Sequence, residues 1–292
     1  MQDNDPWEDR KSLTFEQAEG AASLPQQLQL KEVSSKLRAV LWRIVHDSLS
    51  RHRKFAINAR RPHLIDPWDR ILRSAHTFRD HRMIDEYEEH ADTQISKVKQ
   101  IFSNGDYLEI FGWLQYVLRN NPPHGFANAI DTALNYCHAA YRVFDHTTIV
   151  PFSSEEELHS IEKAFAELAT KEFQGARAHL KKSLSLLSEG NNADNIRESI
   201  HAVESIARTL DNSGKFSRAL ACISNKTNIH RSMEAGFKSL YGYTSDENGI
   251  RHPLLDDDEA SVDETDALFM IGACASFVTY LINKSRAAGL LD

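Results

Sequence analysis

The chain has 292 residues, of which 41% are hydrophobic and 26% charged, so it reads as an ordinary soluble globular protein with room for two domains. Its formal net charge of −8 excludes a general polyanion-binding surface, although a local basic cleft can still take nucleic acid as a substrate. Only 12 Gly and 8 Pro favour a mainly α chain with short connections.

The opening MQDNDPWEDR is acidic and polar, without the basic stretch and apolar core of a signal sequence. Residues 1–30 lack periodicity and are expected to form a mobile segment. From Glu32 to Lys54, Val33, Leu37, Val40, Leu41, Ile44, Val45 and Leu49 recur at helical spacing. A second helix is expected from Ile65, with Asp66-Pro67 at its start. Further helices fit 92–103, 106–119 and 125–140, and Pro122-Pro123 must separate the last two. Tyr141–Phe152, rich in β-branched and aromatic residues around Asp145-His146, reads as a β-hairpin. A domain boundary is placed near 150, giving an N-terminal helical domain (31–150) and a C-terminal helical bundle (151–292).

Behind the hairpin, Ser154 with Glu157 looks like a capping box. Helices then fit 155–169, 173–188, 193–210, 215–223, 230–240 and 263–286. The uncharged run Ala267–Asn283 is shorter than the ~20 apolar residues of a membrane span and is diluted by Gly272, Ser276 and Thr279. It reads as a helix buried in the bundle, with no membrane implied. Cys137, Cys222 and Cys274 are odd in number and widely spaced, which suits reduced thiols in the cytoplasm. The 14 His are scattered, with no HExxH or CxxC, so neither a metal nor a cofactor is assigned.

Two stretches carry candidate chemistry. On 193–210 the stripe Ile196, Ile200, Val203 and Ile206 leaves Arg197, Glu198, His201, Glu204 and Arg208 outside it. The simplest account of that flank is a solvated face of Arg/Glu pairs; the functional account is a set of groups completing a site supplied from elsewhere. The second stretch is YGYTSDENGIRH, Tyr241–His252, expected to be a loop. Asp246, Asn248 and Gly249 explain a turn, and Pro253 pushes His252 out of the α region. Turn chemistry leaves Arg251-His252 unexplained. A His that exchanges protons near neutral pH beside a permanent cation suits RNA phosphodiester cleavage.

The blocks NIRESIHAVESIARTL (Asn195–Leu210), YGYTSDENGIRH and DALFMIGACASFVTYLINK (Asp266–Lys284) resemble the AbiJ-type proteins of bacterial abortive-infection defence, and among them those with the fourth variant of the AbiJ N-terminal domain. LRAVLWRIV (Leu37–Val45) and AYRVFDHTTIVPFSSEEELHSIEKA (Ala140–Ala164) agree with it, so the resemblance spans most of 32–286. It implies a HEPN-like helical bundle in the second half, a homodimer with a composite site, and metal-independent cleavage of RNA. Its signature is an Arg followed about one turn later by a His at the start of the last long helix. His252 takes the His place and Arg251 is the cation beside it, whereas Ser245, Asp246 and Glu247 stand where the Arg is expected. The implied site is Arg251 and His252, with Asp246, Arg197, Glu198 and Glu204 as orienting groups. The alternative is a non-catalytic HEPN-like module that binds a defence-system partner or RNA. A literal match to the spacing, Arg119 to His124, is set aside because Pro122-Pro123 severs the helix that would present both.

Overall fold

A computed structural model describes residues 15–21, 28–55, 61–211, 215–246 and 262–291. The protein is mainly α, and its only sheets among the described residues are two antiparallel strand pairs. It divides into two compact units, Met1–Ala140 and Tyr141–Asp292.

In the first unit, α1 (Phe15–Ala18) is a single turn. Helix α2 (Ser35–Arg51) starts where the Ser34 hydroxyl accepts the Leu37 N–H. It buries Leu37, Leu41, Val45 and Leu49, one i,i+4 row, against α4 and α6. Strands β1 (Arg53–Phe55) and β2 (Pro62–Leu64) pair with Arg53 opposite Leu64. Helix α3 (Trp68–Ser74) begins after Pro67, later than the expected Ile65, and its Asp66 makes no capping bond. Ala75–Arg79 continues it as a π turn.

Helix α4 (Ala91–Asn104) is followed by α5 (Tyr107–Arg119), which opens with a capping box of Asp106 and Glu109. Arg38 on α2 donates to the carbonyls of Phe102 and Gly105, which fixes the α4–α5 corner. Helix α5 stops at Arg119 and α6 (Phe126–Tyr136) starts after Gly125, whose φ of 78° is the left-handed value that favours Gly. The Pro-Pro break therefore lies where the sequence puts it, and Arg119 and His124 sit on no common helix. The core is aromatic: Trp68 stacks on Trp113 at 6.1 Å, and Phe102 and Phe126 meet those rings edge-on.

The second unit opens with the expected hairpin, β3 (Tyr141–Phe144) and β4 (Thr148–Pro151), in register Tyr141 to Pro151. Asp145 and His146 both take left-handed φ, and the Thr147 N–H closes on the Phe144 carbonyl, as a tight primed turn requires. Helix α7 (Glu155–Glu167) is capped by the Ser154 hydroxyl. The Glu157 carboxylate turns to the N–H and hydroxyl of Ser153, so the reciprocal half of the capping box is made one residue early.

Helices α8 (Gln174–Ser188) and α9 (Asn192–Leu210) form a tight hairpin through Gly190, at φ 75°. Helix α10 (Phe216–Thr227) ends on left-handed Asn228 and leads to α11 (Arg231–Asp246); α12 (Glu264–Ala287) is capped by Asp263 and Asp266. Helix α9 lies against α8, α10, α11 and α12, and α12 also packs on α7. Helix α12 is long and apolar enough to cross a membrane by length and composition, yet 61% of its most apolar stretch is buried inside this unit. Cys274 on α12 is buried, which pushes its thiol up to about 12; Cys137 is also buried and Cys222 half-buried, and all three are free.

Candidate functional site

The expected loop begins as helix. Residues 241–246 form the last turns of α11 despite Gly242, because tertiary contacts outweigh its low helix propensity. The Tyr241 ring stacks on Phe216 at 4.4 Å, its hydroxyl donates to Glu204 Oε1 at 2.7 Å, and the Thr244 hydroxyl donates to the Tyr241 carbonyl. Of the candidate residues, Asp246 is the last of α11, while Arg251 and His252 lie outside the described residues, as do Asn248 and Gly249.

The α9 flank is solvated only in part. Glu198 is 4% and Glu204 8% exposed, because α9 has neighbours on four sides, whereas Arg197 and His201 are half-buried and Arg208 is exposed. Arg197 pairs with Asp194 at 2.6 Å, one turn back on the same helix. Glu198 faces α8 instead, where Lys182 Nζ donates to Oε1 and His179 Nδ1 bonds Oε2, both at 2.6 Å. The His201 ring meets His179 edge-on at 5.3 Å. Beneath this cluster, Asn195, Ser183 and Ser199 form a buried hydrogen-bonded layer that fixes the α8–α9 register.

Burial alone would raise the Glu198 carboxyl, but the hydrogen bonds from Lys182 and His179 hold it below the usual carboxylate range. A carboxyl depressed in the folded state stabilises fully above the ordinary carboxylate value, and that stabilisation is lost as pH falls through the folded value. Glu198→Gln should therefore lower stability by about 1.5–3 kcal/mol at neutral pH, the usual range for a hydrogen bond to a charged group. The variant should also lose less stability than the parent below about pH 4, which thermal melts across pH will show. Equal acid sensitivity in both would contradict the pairing.

His179, Glu198 and His201 offer ligand atoms within 4.8 Å of one another and could hold a divalent cation, in competition with the bonds to Lys182 and His179 Nδ1. Reading the sequence one helix at a time misses His179 and Lys182. The available signal is a matched pair of i,i+3 spacings, His179/Lys182 and Glu198/His201, on helices joined by the tight turn at Gly190. Chemically the cluster joins two imidazoles, an ammonium and an ionised carboxylate, with proton donors and acceptors side by side.

No curated protein and no solved structure matches the chain. The model of the family AbiJ N-terminal domain 4 matches residues 13–167, which takes in the β3–β4 hairpin and ends with α7. That is more than half of the sequence, so the chain belongs to the AbiJ N-terminal domain 4 family, whose setting is abortive-infection, anti-phage defence.

Proposed function

We propose that this defence protein is a cytoplasmic, metal-independent endoribonuclease, with a HEPN-like second unit that dimerises to complete its site. Arg251 and His252 carry the chemistry. His252 removes the 2′-hydroxyl proton, the 2′-oxygen attacks phosphorus, and Arg251 offsets the charge on the five-coordinate phosphorus. The P–O5′ bond breaks and the 5′-oxygen takes a proton from water, while the His252 imidazolium returns its proton to solvent, so the products are a 2′,3′-cyclic phosphate and a 5′-hydroxyl. Asp246, Arg197, Glu198 and Glu204 act as orienting groups.

The observation that supports this reading is the Tyr241–Glu204 hydrogen bond. It ties the carboxylate-bearing flank of α9 to the helix whose C-terminal end, Asp246, is followed five residues later in sequence by Arg251. Incubation of the purified protein with total RNA in EDTA tests it: fragments ending in cyclic phosphate are expected, and intact RNA contradicts the reading.

One observation favours a second reading. Ser245, Asp246 and Glu247 stand where the HEPN signature has Arg, as a non-catalytic module would allow. That module leaves RNA intact and binds RNA or a defence partner through the same edge, a binding that Arg251→Ala releases.

A further inference from the structure

The first unit contains a cavity of about 590 Å³, within the range of small-molecule sites. Leu72, Val98, Ile101 and Trp113 give it an apolar lining, and the aromatic face of Trp113 is held by the stack on Trp68. Its wall includes the π turn Ala75–Arg79, a distortion that often accompanies a functional site.

Two buried polar side chains enter the same wall. His76 is 7% exposed and its Nε2 lies 2.8 Å from the Met83 carbonyl. A carbonyl only accepts, so Nε2 carries the hydrogen and Nδ1 of the neutral ring is an acceptor. Gln94 is 6% exposed and donates its amide to the Glu88 carbonyl at 2.6 Å, which leaves its own carbonyl oxygen to accept. Neither His76 Nδ1 nor Gln94 Oε1 has a partner among the described residues.

At the rim stand Arg79, Arg82 and Lys97. The Arg82 and Lys97 side chains have no hydrogen-bond or ion-pair partner among the described residues, and Arg79 reaches Asp80 only at 3.9 Å. Of the two carboxylates at the rim, Glu109 is engaged by the Asp106 N–H, which reduces its opposition to an anion. Three cations around one opening stand out in a chain of net charge −8.

We propose that this cavity binds a nucleoside phosphate whose base bears an exocyclic amine. The ring lies against the apolar lining of Leu72, Val98 and Ile101, the amine donates to His76 Nδ1 and Gln94 Oε1, and the phosphate meets Arg79, Arg82 and Lys97. The chemistry separates bases: uracil has no exocyclic amine to satisfy the two acceptors. The site lies in the first unit and does not depend on RNA cleavage by the second.

Calorimetric titration of the full chain with AMP, CMP, GMP, UMP and inorganic phosphate tests the assignment. At least one amine-bearing nucleotide should bind roughly tenfold or more tightly than UMP, as expected for an unmet buried hydrogen bond. Arg82→Ala and Lys97→Ala, both substitutions of exposed side chains, should each weaken that binding about fivefold or more and reduce its salt dependence. Absence of nucleotide binding overturns the proposal. So does UMP or inorganic phosphate binding equally well, or affinity unchanged in both variants.

Discussion

Trp68→Ala should destabilise the first unit by about 3–5 kcal/mol, the usual range for a fully buried aromatic truncated to Ala. Trp68 has no exposed surface, stacks on Trp113, meets the edge of Phe126 and donates its indole N–H to the Ser48 hydroxyl at 3.0 Å. The substitution opens a hole at the centre of that aromatic core, and the rigid packing of α3, α5 and α6 leaves little room to close it. It also leaves Ser48, itself buried, without the indole donor. Trp68→Phe keeps most of the ring contact and should cost about 1–3 kcal/mol. Urea unfolding of both variants decides the point, and a loss below about 1 kcal/mol for Trp68→Ala would contradict the packing described. Because Trp113 lines the cavity above this stack, Trp68→Ala should also abolish nucleotide binding there.

Where helices rest on a local pattern, the sequence was a good guide. The i,i+4 row of α2, the cap at Ser154 and the break at Pro122-Pro123 are all short-range signals, and the corresponding elements lie within a few residues of expectation. Elements that depend on tertiary partners were harder to read. Strands β1 and β2 are three residues each, too short for a pattern to stand out, and all three residues of β1 are exposed. Residues 241–246 carry Tyr, Gly and Thr, which suggest a loop, and tertiary contacts such as those of Tyr241 with Phe216 and Glu204 hold them in the helix.

The same contrast holds at the candidate site. The spacing of Arg197, Glu198, His201 and Glu204 was visible, but their fates diverge for reasons outside α9. Arg197 turns to its own helix, Glu198 crosses to α8 and Glu204 crosses to α11. The His179–Glu198 pair joins residues 19 apart through the α8–α9 hairpin, a relation no single-helix reading reaches. Membership of the AbiJ N-terminal domain 4 family, in turn, rests on residues 13–167 and leaves the chemistry of the second unit to experiment.

The His252→Ala variant tests that chemistry most directly. Removing a general base costs typically ~10²–10⁴-fold in rate, and removing the charge-stabilising cation costs a comparable factor. Melting temperatures of His252→Ala and Arg251→Ala, measured beside the parent, establish which variants are folded. The decisive measurement is single-turnover cleavage of RNA in EDTA by the parent protein, His252→Ala and Arg251→Ala under identical conditions. The account predicts cleavage by the parent to cyclic-phosphate ends, with the rate reduced at least ~10²-fold in each folded variant. Cleavage by His252→Ala at the parental rate, or intact RNA with the parent itself, would contradict it.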